Sequence, residues 1–178
     1  MKTTDNNITN ANTISFSDFL NNVNPVYRDF VADTHEYMLE NGFVVKIIAA
    51  KKGYVVSYLQ GKKGHVAANY VFRKNGLIIR IYGDHVGHYS GLLETLPEAM
   101  TMSIEKAPVC RRLVSGGCNS RCRMGNDFIM KGENYKKCRY SCFMFDVTHE
   151  NIPHITDILE NEVRCRVNHP AASSGASV

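Results

Sequence analysis

Five of the six cysteines of this 178-residue chain fall between Cys110 and Cys142. Four of them form two pairs with the same three-residue gap, Cys118-Asn-Ser-Arg-Cys122 and Cys138-Arg-Tyr-Ser-Cys142. Thiolates are the preferred donors of structural zinc, which takes four Cys or Cys/His ligands in a tetrahedron at about 2.3 Å. Cys118, Cys122, Cys138 and Cys142 are therefore the expected ligands of one Zn²⁺, with Gly116, Gly117 and Gly125 giving the first pair a backbone able to turn. The second pair sets a condition. In one extended strand its two sulfurs would stand about 13 Å apart at ~3.3 Å per residue, too far for a common ion, so Cys138–Cys142 must curl. Cys110 and Cys165 are the reserves for Cys138 if it does not. An iron–sulfur cluster would accept the same donors but matches neither common ferredoxin spacing, and so ranks below zinc. Free thiols or a redox pair are the competing readings of a cysteine cluster.

Charge is concentrated in the same segment. From Lys106 to Cys142, nine bases (Lys106, Arg111, Arg112, Arg121, Arg123, Lys131, Lys136, Lys137, Arg139) face two acids (Asp127, Glu133), a local +7 in a chain of formal net charge +4. Such a patch attracts phosphates. It also offsets the net −2 of a four-thiolate zinc. Arg111, Arg112, Arg121, Arg123 and Arg139, with Tyr140 as a stacking ring beside Tyr135 and Phe143, make up the candidate surface for a nucleic acid. No helix-turn-helix or other duplex-reading pattern accompanies them. His85 and His88, in Gly83-Asp84-His85-Val86-Gly87-His88-Tyr89, are a further candidate pair. Either could act as base to a Cys110 nucleophile, although close histidines at a strand end are more often caps or surface residues. The chain has no Walker loop, no Gly-x-Ser-x-Gly, no His-Glu-x-x-His and no dinucleotide glycine fingerprint.

The elements that must position these groups follow from periodicity. At 44% hydrophobic, the chain suffices for one full core. Residues 1–13 are polar and predict a disordered tail. Ser15 or Ser17 caps a first helix carrying Phe16, Phe19, Leu20 and Val23, which Asn24-Pro25 ends. A second helix runs from about Pro25 to Glu40, closed by Asn41-Gly42. His35 within it reads as ordinary packing. Then the period drops to two. The stretches 43–50, 54–59, 65–73 and 77–82 are separated by Lys51-Lys52-Gly53, Lys62-Lys63-Gly64 and Lys74-Asn75-Gly76, the mark of an antiparallel meander. Tyr54, Tyr58, Tyr70, Phe72 and Tyr82 are its aromatics, core or pocket wall. A helical pattern covers 89–104 around Pro97. Strands are expected at 127–131 and 142–147, with a turn at Gly132-Glu133-Asn134. Pro153 opens a last helix that buries Ile152, Ile155, Ile158, Leu159 and Val163 and wets Asp157, Glu160 and Glu162. Residues 167–178 read as a flexible tail.

The fold class is α+β: an antiparallel sheet, four meander strands plus two more, with helices packed on it and a Cys-rich loop, in one domain over 14–166. No apolar run approaches the ~20 residues of a membrane span, and no signal peptide is expected. The expectation is a cytoplasmic, non-catalytic module for an unknown small ligand or protein partner, clasped by zinc. Nucleic-acid binding is the alternative, and a Cys/His enzyme the second.

Overall fold

The computed structural model describes residues 14–61, 64–120 and 122–168. Residues 1–13 and 169–178, the Lys62-Lys63 turn and Arg121 lie outside the described residues. The architecture is α+β. Helix α1 (Phe16–Asn21) starts on a capping box in which Ser15 and Asp18 satisfy each other's backbone N–H groups. A 3₁₀ turn (Pro25–Tyr27), begun by the Asn24 side chain, leads into α2 (Arg28–Glu40). Gly42, at φ +79°, ends α2 and lets the chain reverse into the sheet.

Strands β1 (Phe43–Ala50), β2 (Gly53–Gln60), β3 (Val66–Arg73) and β4 (Gly76–Ile81) form the expected meander. Its fifth strand is β7 (Phe143–Asp146), which pairs antiparallel with β4 after a long excursion, giving the order β1-β2-β3-β4-β7. The register runs Ile47↔Val56, Val56↔Tyr70, Tyr70↔Ile79 and Ile79↔Phe145, and carries a continuous apolar row across one face. On that face Val56, Tyr58, Tyr70, Ile79 and Phe145 are buried. They share one core with Phe19 of α1, Val31 and Met38 of α2, and Ile155, Leu159 and Val163 of the last helix.

Everything between β4 and β7 is the excursion. The helical pattern at 89–104 resolves into a 3₁₀ stretch (Ser90–Thr95) and α3 (Glu98–Lys106), divided at Pro97, where ψ 150° cannot continue a helix. A short α4 (Arg111–Val114) follows. Next comes a separate hairpin, β5 (Asn126–Met130) and β6 (Glu133–Lys137). The sequence predicts only a turn at 132–134 and no strand directly after it. The polar run Glu-Asn-Tyr-Lys-Lys has no apolar alternation, and pairing with β5 is what makes it a strand. Helix α5 (Ile152–Asn168) is the last described element and takes in Val167 and Asn168, where the sequence predicts a tail. Its expected wet face also needs correction, because Glu162 is 0% exposed. No described helix is long and apolar enough to cross a membrane.

Candidate metal centre and the ion network beside it

The segment Pro108–Cys110 lies against β6. Val109 bridges Lys137, the Cys110 N–H donates to the Lys136 carbonyl at 2.8 Å, and the Cys138 N–H donates to the Pro108 carbonyl at 2.8 Å. Residues on either side of such a bridge share the opposite face from the bridged pair. Cys110 and Cys138 are therefore diagonal neighbours on one face, while Lys137 turns to the other. There Lys137 is buried, and its ammonium donates to the carbonyls of Glu105 and Ala107 at the end of α3.

Cys118 and Cys122 come from the loop after α4. Gly116 has φ +76°, and the Cys122 N–H donates to the Asn119 carbonyl at 3.0 Å. Arg112 donates to the Cys122 carbonyl, tying α4 to the loop. The Cys122 thiol is in hydrogen-bonding contact with Cys118 and in electrostatic reach of Cys110 and Cys138; burial is the first cause that pushes it up, and those neighbouring sulfurs add to it. Gly125 closes the floor. A Cβ there would stand 2.2 Å from the Lys137 carbonyl oxygen and 2.7 Å from the Cys110 sulfur, so only glycine fits. Cys110, Cys118, Cys122 and Cys138 together line a cavity of about 300 Å³.

The second sequence pair does curl. The N–H groups of Ser141 and Cys142 both donate to the Cys138 carbonyl, at 3.0 and 2.9 Å. That turn sends Cys142 inward: it is 0% exposed, belongs to the main core, and its thiol is pushed up to about 12 by burial. It lines neither of the two cavities walled by the other thiols. The structure thus gathers three of the four expected ligands and adds Cys110, which the sequence offers as a replacement for Cys138 rather than for Cys142. Cys165 lies on α5, where burial raises its thiol and Glu162 adds to the effect. Among the described residues no group of three or more His, Cys, Asp or Glu side chains stands ready to hold a metal ion, so the four thiols share a cavity without yet converging on one point.

The basic residues of the segment are largely engaged within the protein. Arg123 (3.2 Å) and Arg139 both pair with Asp84, and Arg166 of α5 joins them at 2.7 Å. Lys136 faces Asp127 at 4.0 Å, and Lys131 donates to the Thr101 hydroxyl. Arg111 is exposed on α4 and makes no ion pair among the described residues. The Arg139 guanidinium also lies over the rings of Tyr82 and Tyr140. Tyr140, 46% exposed, stands edge-on to Tyr82 and lines the second thiol cavity.

His85 is held from below by Glu162. Its Nδ1 lies 3.1 Å from Glu162 Oε1, and the same carboxylate accepts the N–H groups of Asp84 and His85, the Tyr89 hydroxyl at 2.7 Å and Arg166 Nε at 2.7 Å. Burial and the Glu162 charge keep the Tyr89 phenol well above its ordinary range, so it stays a donor. His88 lies 6.3 Å from His85, ring to ring, and is exposed. The sequence singles out neither Asp84 nor Arg166, and its pattern puts Glu162 on the wet face of the last helix. The Glu162–Arg166 spacing of four on a helix was the available signal, but nothing in it says the pair is buried. Chemically, a carboxylate-held imidazole can accept a proton or ligate a metal at its other nitrogen. The cavity walled by Cys110 has no histidine in its lining, so the Cys110–histidine pairing is not assembled there.

No known family model matches the chain, and neither a curated protein nor a solved structure resembles it at a significant level.

Proposed function

We propose that the chain is a non-catalytic binding module whose Cys-rich segment is clasped by a structural zinc ion on Cys110, Cys118, Cys122 and Cys138. One observation carries the reading: thiols from three separate stretches, the Pro108–Cys110 segment, the loop after α4 and the residue just past β6, line a single cavity. All-sulfur donors select soft or borderline cations. Four protein ligands leave no open position for a substrate, which argues against catalysis at the metal. Ligation requires the sulfurs to draw together. The movable partner is the loop, since residues 115–120 are all exposed and Cys118 with them, whereas Cys110 and Cys138 are fixed by the ladder.

The test is metal content of protein purified without added metal. The expected result is about one zinc per chain, lost in Cys110→Ala and Cys118→Ala and kept in Cys142→Ala. A visible charge-transfer absorption with bound iron would replace zinc by an iron–sulfur cluster. Metal-free wild type overturns the proposal. Loss in Cys142→Ala with retention in Cys110→Ala restores the ligand set the spacing alone suggests.

Nucleic-acid binding draws less support, because Arg123, Arg139 and Lys137 are spent on Asp84 and on backbone carbonyls. Retention on single-stranded DNA that falls steeply with salt would favour it. Proton transfer at His85 is favoured by the Glu162 contact alone, and that carboxylate already serves as a structural hub for the 82–89 loop.

A further inference from the structure

Helices α2 and α5 lie side by side over the sheet, and between them remains a cavity of about 420 Å³. Packed helix pairs normally leave no void of this size, and the volume falls within the ~300–1,000 Å³ of small-ligand sites. Its walls are Phe30 and Tyr37 from α2 and Ile152 and Leu159 from α5, each pair seven residues apart and so on one helix face. Thr34 and Thr156 also line it, but their hydroxyls donate to the carbonyls of Phe30 (2.8 Å) and Ile152 (3.0 Å) in their own helices. The charged groups in the lining are Asp33 and Glu160, one from each helix, and no Lys, Arg or His lines it. Neither carboxylate makes an ion pair or side-chain hydrogen bond among the described residues. Arg164 is the basic group in electrostatic reach of Tyr37, on the same side as Glu160.

We propose that the α2/α5 cleft binds a small organic cation with an apolar body, its charge between Asp33 and Glu160 and its body against Phe30, Tyr37, Ile152 and Leu159. Two aromatic rings attract a cation through their faces, and two carboxylates repel an anion. A neutral apolar guest would gain the walls but not the charge. The proposal supplies a ligand class for the binding-module reading and owes nothing to the metal, since the cleft and the thiol cavity share no lining residue.

The probes are benzyltrimethylammonium, benzyl alcohol and phenylacetate, titrated against full-length protein with ¹³C-labelled Ile and Leu methyl groups. The expected result is saturable shifts at Ile152 and Leu159 with the ammonium, and binding at least ~10-fold weaker for the other two. The double variant Asp33→Asn/Glu160→Gln, which removes charge and keeps shape, should weaken the ammonium about 10-fold and leave benzyl alcohol unchanged. Thr156→Phe, which fills the cleft, should abolish the shifts. In Cys118→Ala the ammonium affinity should be that of wild type, so loss of the zinc reading leaves this one standing. Absence of shifts at both methyl groups, equal affinity for all three probes, or an unchanged ammonium affinity in the double variant each overturns the proposal.

Discussion

The backbone N–H of Cys138 donates to the carbonyl of Pro108 at 2.8 Å, and through that bond two cysteines twenty-eight positions apart are locked onto one face of a small ladder. The bond makes Cys110 a partner of Cys138 and leaves Cys142 free to enter the core.

The tightest steric dependency of that ladder is Gly125. Gly125→Ala should destabilise the protein by about 1–3 kcal/mol, the usual cost of overpacking, because the added methyl meets a carbonyl oxygen and a sulfur. Urea denaturation reads the loss. Metal content should fall with it, since the methyl crowds both the Cys110 sulfur and the Lys137 carbonyl next to Cys138.

Cys142→Ala separates the core thiol from the cavity thiols. It should cost about 1 kcal/mol for a small buried void. In the native protein Cys142 should resist alkylation while Cys118 reacts, because one is 0% exposed and shifted up to about 12 and the other is exposed. Mass-spectrometric mapping of iodoacetamide adducts checks this in metal-stripped protein; labelling of Cys142 at the rate of Cys118 contradicts the placement.

Arg166, 2% exposed, donates to Glu162, Asp84 and the Tyr82 carbonyl. Arg166→Met should cost about 3–5 kcal/mol, because it strands a buried carboxylate rather than because the pair itself contributes that much. Glu162→Gln should also destabilise, because its single amide oxygen cannot serve both the Asp84 N–H and Arg166 on Oε1 and the His85 N–H and Tyr89 hydroxyl on Oε2. A loss within 0.5 kcal/mol for Arg166→Met, roughly that of a neutral surface change, would contradict the burial of the network.

His35 gives a pH dependence with a definite sign. It stacks on Phe16 at 3.6 Å, its Nδ1 lies 3.1 Å from the Tyr58 hydroxyl, and burial holds it below its usual 6.5 against a smaller opposing pull from Glu36. As pH falls through 6.5 the unfolded chain takes up the proton before the folded one. The contribution of His35 is therefore full above that pH and is lost between 6.5 and the lower folded value. Denaturation midpoints of wild type and His35→Gln, measured from pH 8 to pH 5, should diverge in the acid limb, with the wild type losing more.

Period, turn chemistry and caps are local, and what is local was readable. The alternation of β1 to β4 between Lys-Gly turns, the Ser15 cap, the Gly42 stop and the apolar face of α5 all follow from residues within a few positions of one another. So did the requirement that Cys138–Cys142 turn. What the chain alone did not contain was decided by contacts across it. Glu133–Lys137 is a strand only because β5 is beside it, Cys110 joins Cys138 only because Pro108 pairs across the Val109–Lys137 bridge, and Glu162 on a charged helix face is buried only because the 82–89 loop brings four hydrogen-bonding groups to it. A hydrophobic pattern states which residues leave water. It carries no information on which polar groups will be taken along with them, because that depends on partners supplied from elsewhere in the fold.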